Sequence, residues 1–160
     1  MNTCRTRRAT VEDIPAIIAL GTQLHDVSPA FRGISIDAAK LDALARQLLA
    51  SGQFLCVAEH DGQIVGVMAG LCVGHWFSNS KACSDLLLYV LPAFRGTTAA
   101  YRLASAYLAW AKDAGAVQIT VGVSAVEGEE QSRAVEFYRA MGFVPMGVSL
   151  RWEADHVHRT

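Results

Sequence analysis

The sequence predicts an α/β fold: a mixed central sheet of about six to seven strands flanked by four helices, in one domain spanning residues 1–160. Three observations carry that reading. Apolar runs of strand length alternate along the chain with stretches whose apolar residues recur at helical spacing. Turn and cap residues separate them, and no linker, internal repeat or low-complexity tract divides the chain. A chain of 160 residues that is 52% hydrophobic and only 18% charged is also long enough to bury roughly 70% of its unfolded surface in one core, which excludes disorder.

Each element follows from local signals. Residues 3–8 read as a first strand. Thr10, with Asp13 three residues on, outlines a helix cap, and Ile14, Ile17, Ile18 and Leu24 give the helix an apolar stripe that tolerates Pro15 in its first turn. Residues 26–35 read as a loop, and Asp37 begins a second helix carrying Leu41, Leu44, Leu48 and Leu49 until Ser51-Gly52 stops it. Residues 54–59 and 64–73, joined by the tight turn at Asp61-Gly62, predict an antiparallel hairpin. A further strand covers 82–91 and ends at Pro92. Thr97 or Thr98 then caps an alanine-rich helix to about Asp113, with Gly115 just beyond it. A strand at 117–123, a helix at 129–141 closed by Gly142, and a last strand at 143–152 interrupted by Pro145 and Gly147 complete the order β-α-α-β-β-β-α-β-α-β.

Composition excludes several functions. With 14 Lys and Arg against 15 Asp and Glu, the net charge of −1 offers no electrostatic drive toward nucleic acid. The surplus of apolar residues predicts that some apolar surface is covered by a second copy, as a homodimer. Cys4, Cys56, Cys72 and Cys83 include no C-x-x-C pair, and most lie in apolar stretches where a free thiol is a small hydrophobe, so a reduced, cytoplasmic protein is expected. The polar N-terminus lacks the apolar run of a signal peptide. Residues 63–80 carry no charge and space Gly66, Gly70 and Gly74 by four, yet their strongly apolar part is too short to cross a membrane and reads as a buried strand, so no membrane partner is expected. The His156-x-His158 pair has no carboxylate or cysteine cluster at ligand spacing, so no metal is expected. Residues 122–126 lack the second glycine of a hydrolase nucleophile elbow.

Chemistry concentrates after the strand at 82–91. A wholly apolar strand runs through Leu88, Tyr89 and Val90 into Pro92, then Arg95, Gly96, Thr97, Thr98, Ala99 and Ala100 open a helix. Unpaired amides at a helix start, the helix dipole, a nearby cation and small side chains make an anion site. It is neither a Walker loop nor a dinucleotide fingerprint, and the same residues also fit an ordinary strand-to-helix connection.

The stretch resembles the acetyl-CoA loop of the GNAT superfamily of N-acetyltransferases, R/Q-x-x-G-x-G/A, matching at Arg95 and Ala100 and departing at Thr98, where the family has glycine. The run from Gln131 to Phe143 is similar to the family's N-x-x-A-x-x-F/L-Y-x-x-x-G-F, departing only at Gln131. The opening from Arg8 to Ile14 resembles the family's first strand and the helix after it. The resemblance implies a cleft between splayed fourth and fifth strands that takes acetyl-CoA. Leu88, Tyr89 and Val90 would lie along the pantetheine arm, residues 95–100 would hold the pyrophosphate, and Gln131 would lie beside the cofactor.

The resemblance further implies acetyl transfer to a primary amine, expected on a small molecule, with Tyr138 protonating the departing thiolate. Asp85 is the first choice of base and Glu127 the second, and a base acting through water is equally admissible. The acceptor pocket is expected from His25, Asp26, Phe31, Arg32, His75, Trp76 and Phe77. Two other functions stay open: a non-catalytic acyl-CoA-binding module, favoured by Thr98 and Gln131, and a structural protein that keeps only the fold for self-association.

Overall fold

A computed structural model of the chain describes residues 4–152. The elements are strand β1 (Arg5–Arg8), helices α1 (Ile14–Val27) and α2 (Ala38–Ala50), strands β2 (Phe54–His60), β3 (Gln63–Gly74) and β4 (Lys81–Val90), helix α3 (Ala99–Asp113), strand β5 (Ala116–Thr120) and helix α4 (Gly128–Ala140). Short 3-10 turns precede α1 and α3 and follow α1. The five strands form one sheet in chain order, antiparallel from β1 to β4 and parallel between β4 and β5. Parallel pairing of β4 with β5 requires a crossover, and α3 supplies it.

Both faces of the sheet are covered. Ile14, Ile17 and Leu20 of α1 and Ala45 and Leu48 of α2 pack with Leu55, Val57, Val67 and Tyr89 on one face. Leu103, Ala104, Tyr107 and Ala111 of α3, with Tyr138 of α4, pack with Phe54, Met68, Cys83 and Val90 on the other. That double cover explains why β3 reads as a continuous apolar run: six successive residues, Val65 to Gly70, are buried. The glycine spacing in β3 has a packing cause. A β-carbon on Gly70 would lie 2.7 Å from Tyr107 Cε2, and one on Gly66 would lie 3.1 Å from Val90 Cγ2.

Local chemistry fixes the ends of elements. Asp13 accepts the Thr10 amide at 2.8 Å and pairs with Arg7 of β1 through Nη1 and Nη2, tying the start of α1 to the sheet. Asp37 accepts the amides of Ala39 and Lys40 at the start of α2. The β2–β3 turn places Asp61 and Gly62 at φ +49° and +78°, as a two-residue hairpin of this hand requires.

Two expectations need correction. The sheet has five strands among the described residues, not six or seven: residues 143–152 form no strand. Pro145 has no amide to give a ladder, Gly147 has no side chain to pack, and a cleft separates Phe143 to Gly147 from β5. The cysteines are not all free either. Cys72 and Cys83 are direct partners across β3 and β4, with Cα atoms 4.1 Å apart, and are joined by a disulfide. Cys4 and Cys56 are free and buried, as small hydrophobes, and burial pushes the Cys56 thiol up to about 11. Sequence reasoning missed the pair because register, not spacing, brings the two thiols together. No helix among the described residues is long and apolar enough to cross a membrane.

Candidate functional site

The site begins where the β4–β5 ladder stops. Rungs join Lys81 to Ala116, Ala82 to Gln118, Cys83 to Ile119 and Ser84 to Thr120, and pairing ends there. In place of the next rung, Asp85 Oδ1 accepts the amide of Gly122 at 2.8 Å. The register against β3 also slips at this point, with Ala69 opposite Leu87 and Gly70 opposite Asp85, which leaves Leu86 as a bulge. A bulge adds local twist and bend, so β4 turns away from the chain after β5 and an edge of β4 opens.

Alternation along β4 decides which groups face the opening. The Leu91 amide donates to Val65 O, toward β3, so Leu88 and Val90, displaced from it by odd numbers of residues, direct their backbone groups to the open edge. The carbonyl of Val90 is already engaged by Arg95 Nε at 3.2 Å. Leu88 therefore keeps both backbone groups for a ligand, whereas Val90 has only its amide. Tyr89 faces the other way in this alternation: its side chain packs in the α1/α2 core, and its ring lies 5.6 Å from Arg95 Cζ.

Beyond β4 the chain forms an amide-rich cradle. Gly96 sits at φ +85°, a left-handed conformation that strains any residue with a β-carbon. Thr97 Oγ1 donates to Phe94 O and accepts the Ala99 amide. Among the described residues the amides of Gly96, Thr98, Ala100 and Tyr101 have no hydrogen-bond partner, and they stand at the N-terminus of a 15-residue helix. Thr98 adopts φ −75° and ψ −2°, ordinary right-handed geometry. The threonine that replaces the family's glycine thus costs no backbone strain, and its exposed hydroxyl is free to donate. Arg95 lies at the rim, its Nη1 3.9 Å from Glu130. Cradle and open edge together fit an elongated ligand with a diphosphate at one end and amide groups along its arm, as in acyl-CoA.

Tyr138 of α4 packs in the core on the α3 side of the sheet, close enough to Asp85 for that carboxylate to act on its phenol. Its ring is 6% exposed and meets Phe137 and Phe143 edge-on. Burial, then the Asp85 charge, then Tyr107 push its phenol above the ordinary value, so it stays protonated at neutral pH. Its hydroxyl has no hydrogen-bond partner among the described residues, whereas Tyr107 donates to Thr120 O at 3.0 Å. Burial also raises the carboxyl of Asp85, against the opposing effect of the Gly122 amide. Gln131 uses its side-chain amide to hold Val123 O at 3.1 Å, bracing α4 against the segment after β5. Glu127 is the exposed N-cap of α4.

The residues expected to line an acceptor pocket fall into two groups. His25 Nε2 lies 2.6 Å from Ile34 O and its ring stacks on Phe31, which folds the α1–α2 connection back on α1. The Ile34 carbonyl first, then Asp26, raises the His25 imidazole. Arg32 is exposed on the same connection, with no side-chain partner among the described residues. His75, Trp76 and Phe77 sit at the tip of the β3–β4 hairpin, where His75 Nε2 meets Gln118 Oε1 at 2.8 Å and Trp76 is 92% exposed. Among the described residues no hydrogen bond, ion pair or ring contact joins this tip to the α1–α2 connection.

Sequence reasoning missed Ser28. It is 4% exposed, and its hydroxyl donates to Ala125 O at 2.7 Å, fastening the α1–α2 connection to the segment after β5. Ser28-Pro29 signals only a turn, and a contact spanning 97 residues leaves no local trace. Among the described residues no group of three or more His, Cys, Asp or Glu could hold a metal, and His156 and His158 lie outside them.

Known proteins share this fold. A solved aminoglycoside N-acetyltransferase in complex with CoA shares the fold at TM-score 0.74 and 17% identity, over 97% of each chain. Glucosamine-6-phosphate N-acetyltransferase from Arabidopsis thaliana does so at TM-score 0.73 and 18% identity, over 96% of this chain and 99% of that one. Proteins named as uncharacterized N-acetyltransferases from Mycobacterium tuberculosis and Mycobacterium bovis are 36% identical over 103 residues, 64% of this chain. That match spans 60% of the relatives' length. The family model of the acetyltransferase (GNAT) domain matches residues 51–145, the stretch that contains the broken β4–β5 ladder, the amide cradle and Tyr138, and the chain belongs to that family.

Proposed function

We propose that the chain is an N-acetyltransferase, one domain in extent, that moves an acetyl group from acetyl-CoA to a primary amine of a small molecule. The observation that carries the reading is the opening of β4 away from β5 beyond Ser84 and Thr120, with the unpartnered amides of Gly96, Thr98, Ala100 and Tyr101 at its end. Glucosamine-6-phosphate and aminoglycoside acetyltransferases share the fold, which supports a small polar amine as acceptor.

Acetyl-CoA supplies an activated acyl group as a thioester. Amides at the α3 terminus hold its diphosphate, and the free edge at Leu88 positions its arm and polarises the acyl carbonyl. A primary amine of pKa about 10 arrives protonated and must lose a proton before it attacks. Asp85, whose carboxyl burial raises, takes that proton directly or through water. The amine nitrogen bonds to the carbonyl carbon, the carbon–sulfur bond breaks, and sulfur leaves with the electron pair. Tyr138, neutral and with an uncommitted hydroxyl, donates to that sulfur as charge develops. Arg32, on the α1–α2 connection, meets an anionic group of the acceptor. The location proposed here is the cytoplasm, whose reducing thiol pool acts against the Cys72–Cys83 disulfide.

A specific observation favours a second reading, an acyl-CoA-binding module without turnover: the Asp85 carboxylate is engaged in bridging β4 to Gly122. Calorimetric titration with acetyl-CoA, CoA and dephospho-CoA, followed by an amine panel, separates the two. One-to-one binding with turnover supports the enzyme, and binding without turnover supports the module. Absence of binding at millimolar cofactor overturns both.

A further inference from the structure

One side chain joins the open edge of β4 to the amide cradle. Arg95 leaves the backbone between them and reaches back along the chain, where its Nε donates to Val90 O at 3.2 Å and its Cζ lies 5.6 Å from the centre of the Tyr89 ring. On its other side Nη1 stands 3.9 Å from Glu130 Oε1. Glu130 adjoins Gln131, which holds the segment after β5 through Val123 O, so the guanidinium crosses the mouth of the opening from β4 to α4. The backbone around it is fixed, because the Arg95 amide donates to Pro92 O at 3.2 Å and the Thr97 amide to Phe94 O at 3.3 Å. The side chain is 47% exposed and turns without unpacking the core.

This pose opposes one ligand group and suits another. With Nε on Val90 O, an amide N–H brought against that end of the edge loses its water and finds no acceptor. The other guanidinium donors are uncommitted: among the described residues neither Nη nitrogen donates a hydrogen bond, and the 3.9 Å approach to Glu130 is too long to be one. An exposed ion pair at that distance stabilises the pose only slightly. A diphosphate on the amides of Gly96, Thr98, Ala100 and Tyr101 lies ahead of Arg95 in the chain, whereas Val90 and Tyr89 lie behind it. Phosphate oxygens take the planar guanidinium in paired, charge-assisted hydrogen bonds, which are stronger than a single bond to a neutral carbonyl.

We propose that Arg95 is a latch between the two halves of the site: a diphosphate on the cradle draws the guanidinium off Val90 O and away from Glu130, and the freed carbonyl then accepts an amide N–H of the carrier's arm. The latch rests on the acyl-CoA reading and deepens it, because it makes the site select acyl carriers that bring their own diphosphate over thioesters of bare pantetheine. The selection comes from coupling. A diphosphate binds the released pose of Arg95 better than the held one, and the arm gains a hydrogen bond only in the released pose, so each piece strengthens the other by the same factor. Arg95 is thus a positioning residue for the arm, acting through the Val90 carbonyl.

Nuclear magnetic resonance titrations of the full chain with the ligand in two pieces, pantetheine and inorganic pyrophosphate, test the latch. In the wild type, saturating pyrophosphate is expected to tighten pantetheine binding about three- to tenfold, as one net hydrogen bond does, and to shift the Arg95 Nε–H resonance by itself. In Arg95→Ala the Val90 carbonyl is open from the start. Pantetheine is then expected to bind as tightly as it does to the pyrophosphate-saturated wild type, pyrophosphate to add nothing, and CoA to bind about tenfold more weakly. Glu130→Gln removes only the outer contact, so pyrophosphate is expected to bind about twofold tighter with the coupling retained. Pantetheine and CoA weakened together in Arg95→Ala would make Arg95 a structural residue, and pantetheine indifferent to both pyrophosphate and the substitution would make it a phosphate contact only; either result overturns the latch, as does an Nε–H resonance that pyrophosphate leaves in place or pantetheine that binds under neither condition. A wild type that binds CoA without showing the coupling overturns the latch alone, whereas one that binds no CoA at millimolar concentration overturns the acyl-CoA reading with it.

Discussion

Asp85 is both a strut and a titrating group, and the two roles separate under substitution. Asparagine keeps an oxygen for the Gly122 amide but cannot take a proton. Burial raises the Asp85 carboxyl, so the native state binds that proton more tightly than the unfolded state, and stability falls as pH rises through the native value. Asp85→Asn is therefore expected to melt at or above the wild-type temperature at neutral pH while turnover drops about 100-fold. The rise of kcat/KM with pH on its acid side should flatten as well, and an unchanged pH profile would leave Asp85 a strut only. Tyr138→Phe removes a hydroxyl without a partner in the structure. Turnover is expected to fall about 100-fold with little change in acetyl-CoA affinity by calorimetry, and unchanged turnover would remove Tyr138 from the acid role. The start of α3 was legible in the sequence, because the small and polar residues that open it act locally. Ser28 and the Asp85–Gly122 bridge were not legible, because each joins segments distant along the chain.

At the scale of elements, β4 is determined by its neighbours. Its bulge at Leu86 lies beside Gly70, whose missing side chain admits the Tyr107 ring. Gly70→Ala sets a methyl 2.7 Å from that ring and 3.1 Å from Ser84 O, against backbone that cannot yield without disturbing the bulge. A loss of about 1 to 3 kcal/mol by denaturant unfolding is expected, with weaker acetyl-CoA binding, because the bulge opens the edge. Helix and hairpin boundaries were read within a few residues, since caps, glycines and Pro92 act locally. Strand β5 was read to 123 but pairs only to Thr120, because Val121 and Val123 continue the apolar pattern after the ladder has parted. Side-chain periodicity reports burial and does not reveal a missing hydrogen-bonded neighbour.

Across the whole molecule, the most buried ion pair among the described residues is Arg7 with Asp13. Arg7 also meets Glu59 at 3.0 Å, so one guanidinium joins β1, β2 and the start of α1. Arg7 holds the Asp13 carboxyl below its ordinary value of 3.8. The unfolded state therefore binds the proton first, and the stability contributed by the pair is complete above about pH 4 and lost as pH falls through the native value. Arg7→Met is expected to cost about 2 kcal/mol at neutral pH and to reduce the acid dependence of stability in that window. Parallel slopes for variant and wild type would show that the pair does not titrate on unfolding.

The sequence by itself determined the order of the elements, the two-sided burial of the middle strands and the loop that opens α3, because each is written in residues close together along the chain. Tertiary structure decided where the β4–β5 ladder breaks, that Cys72 faces Cys83, that Val90 has already committed its carbonyl to Arg95, and that residues 143–152 stand apart from the sheet. Those outcomes depend on register between strands, and register is settled by packing partners that a local reading cannot see.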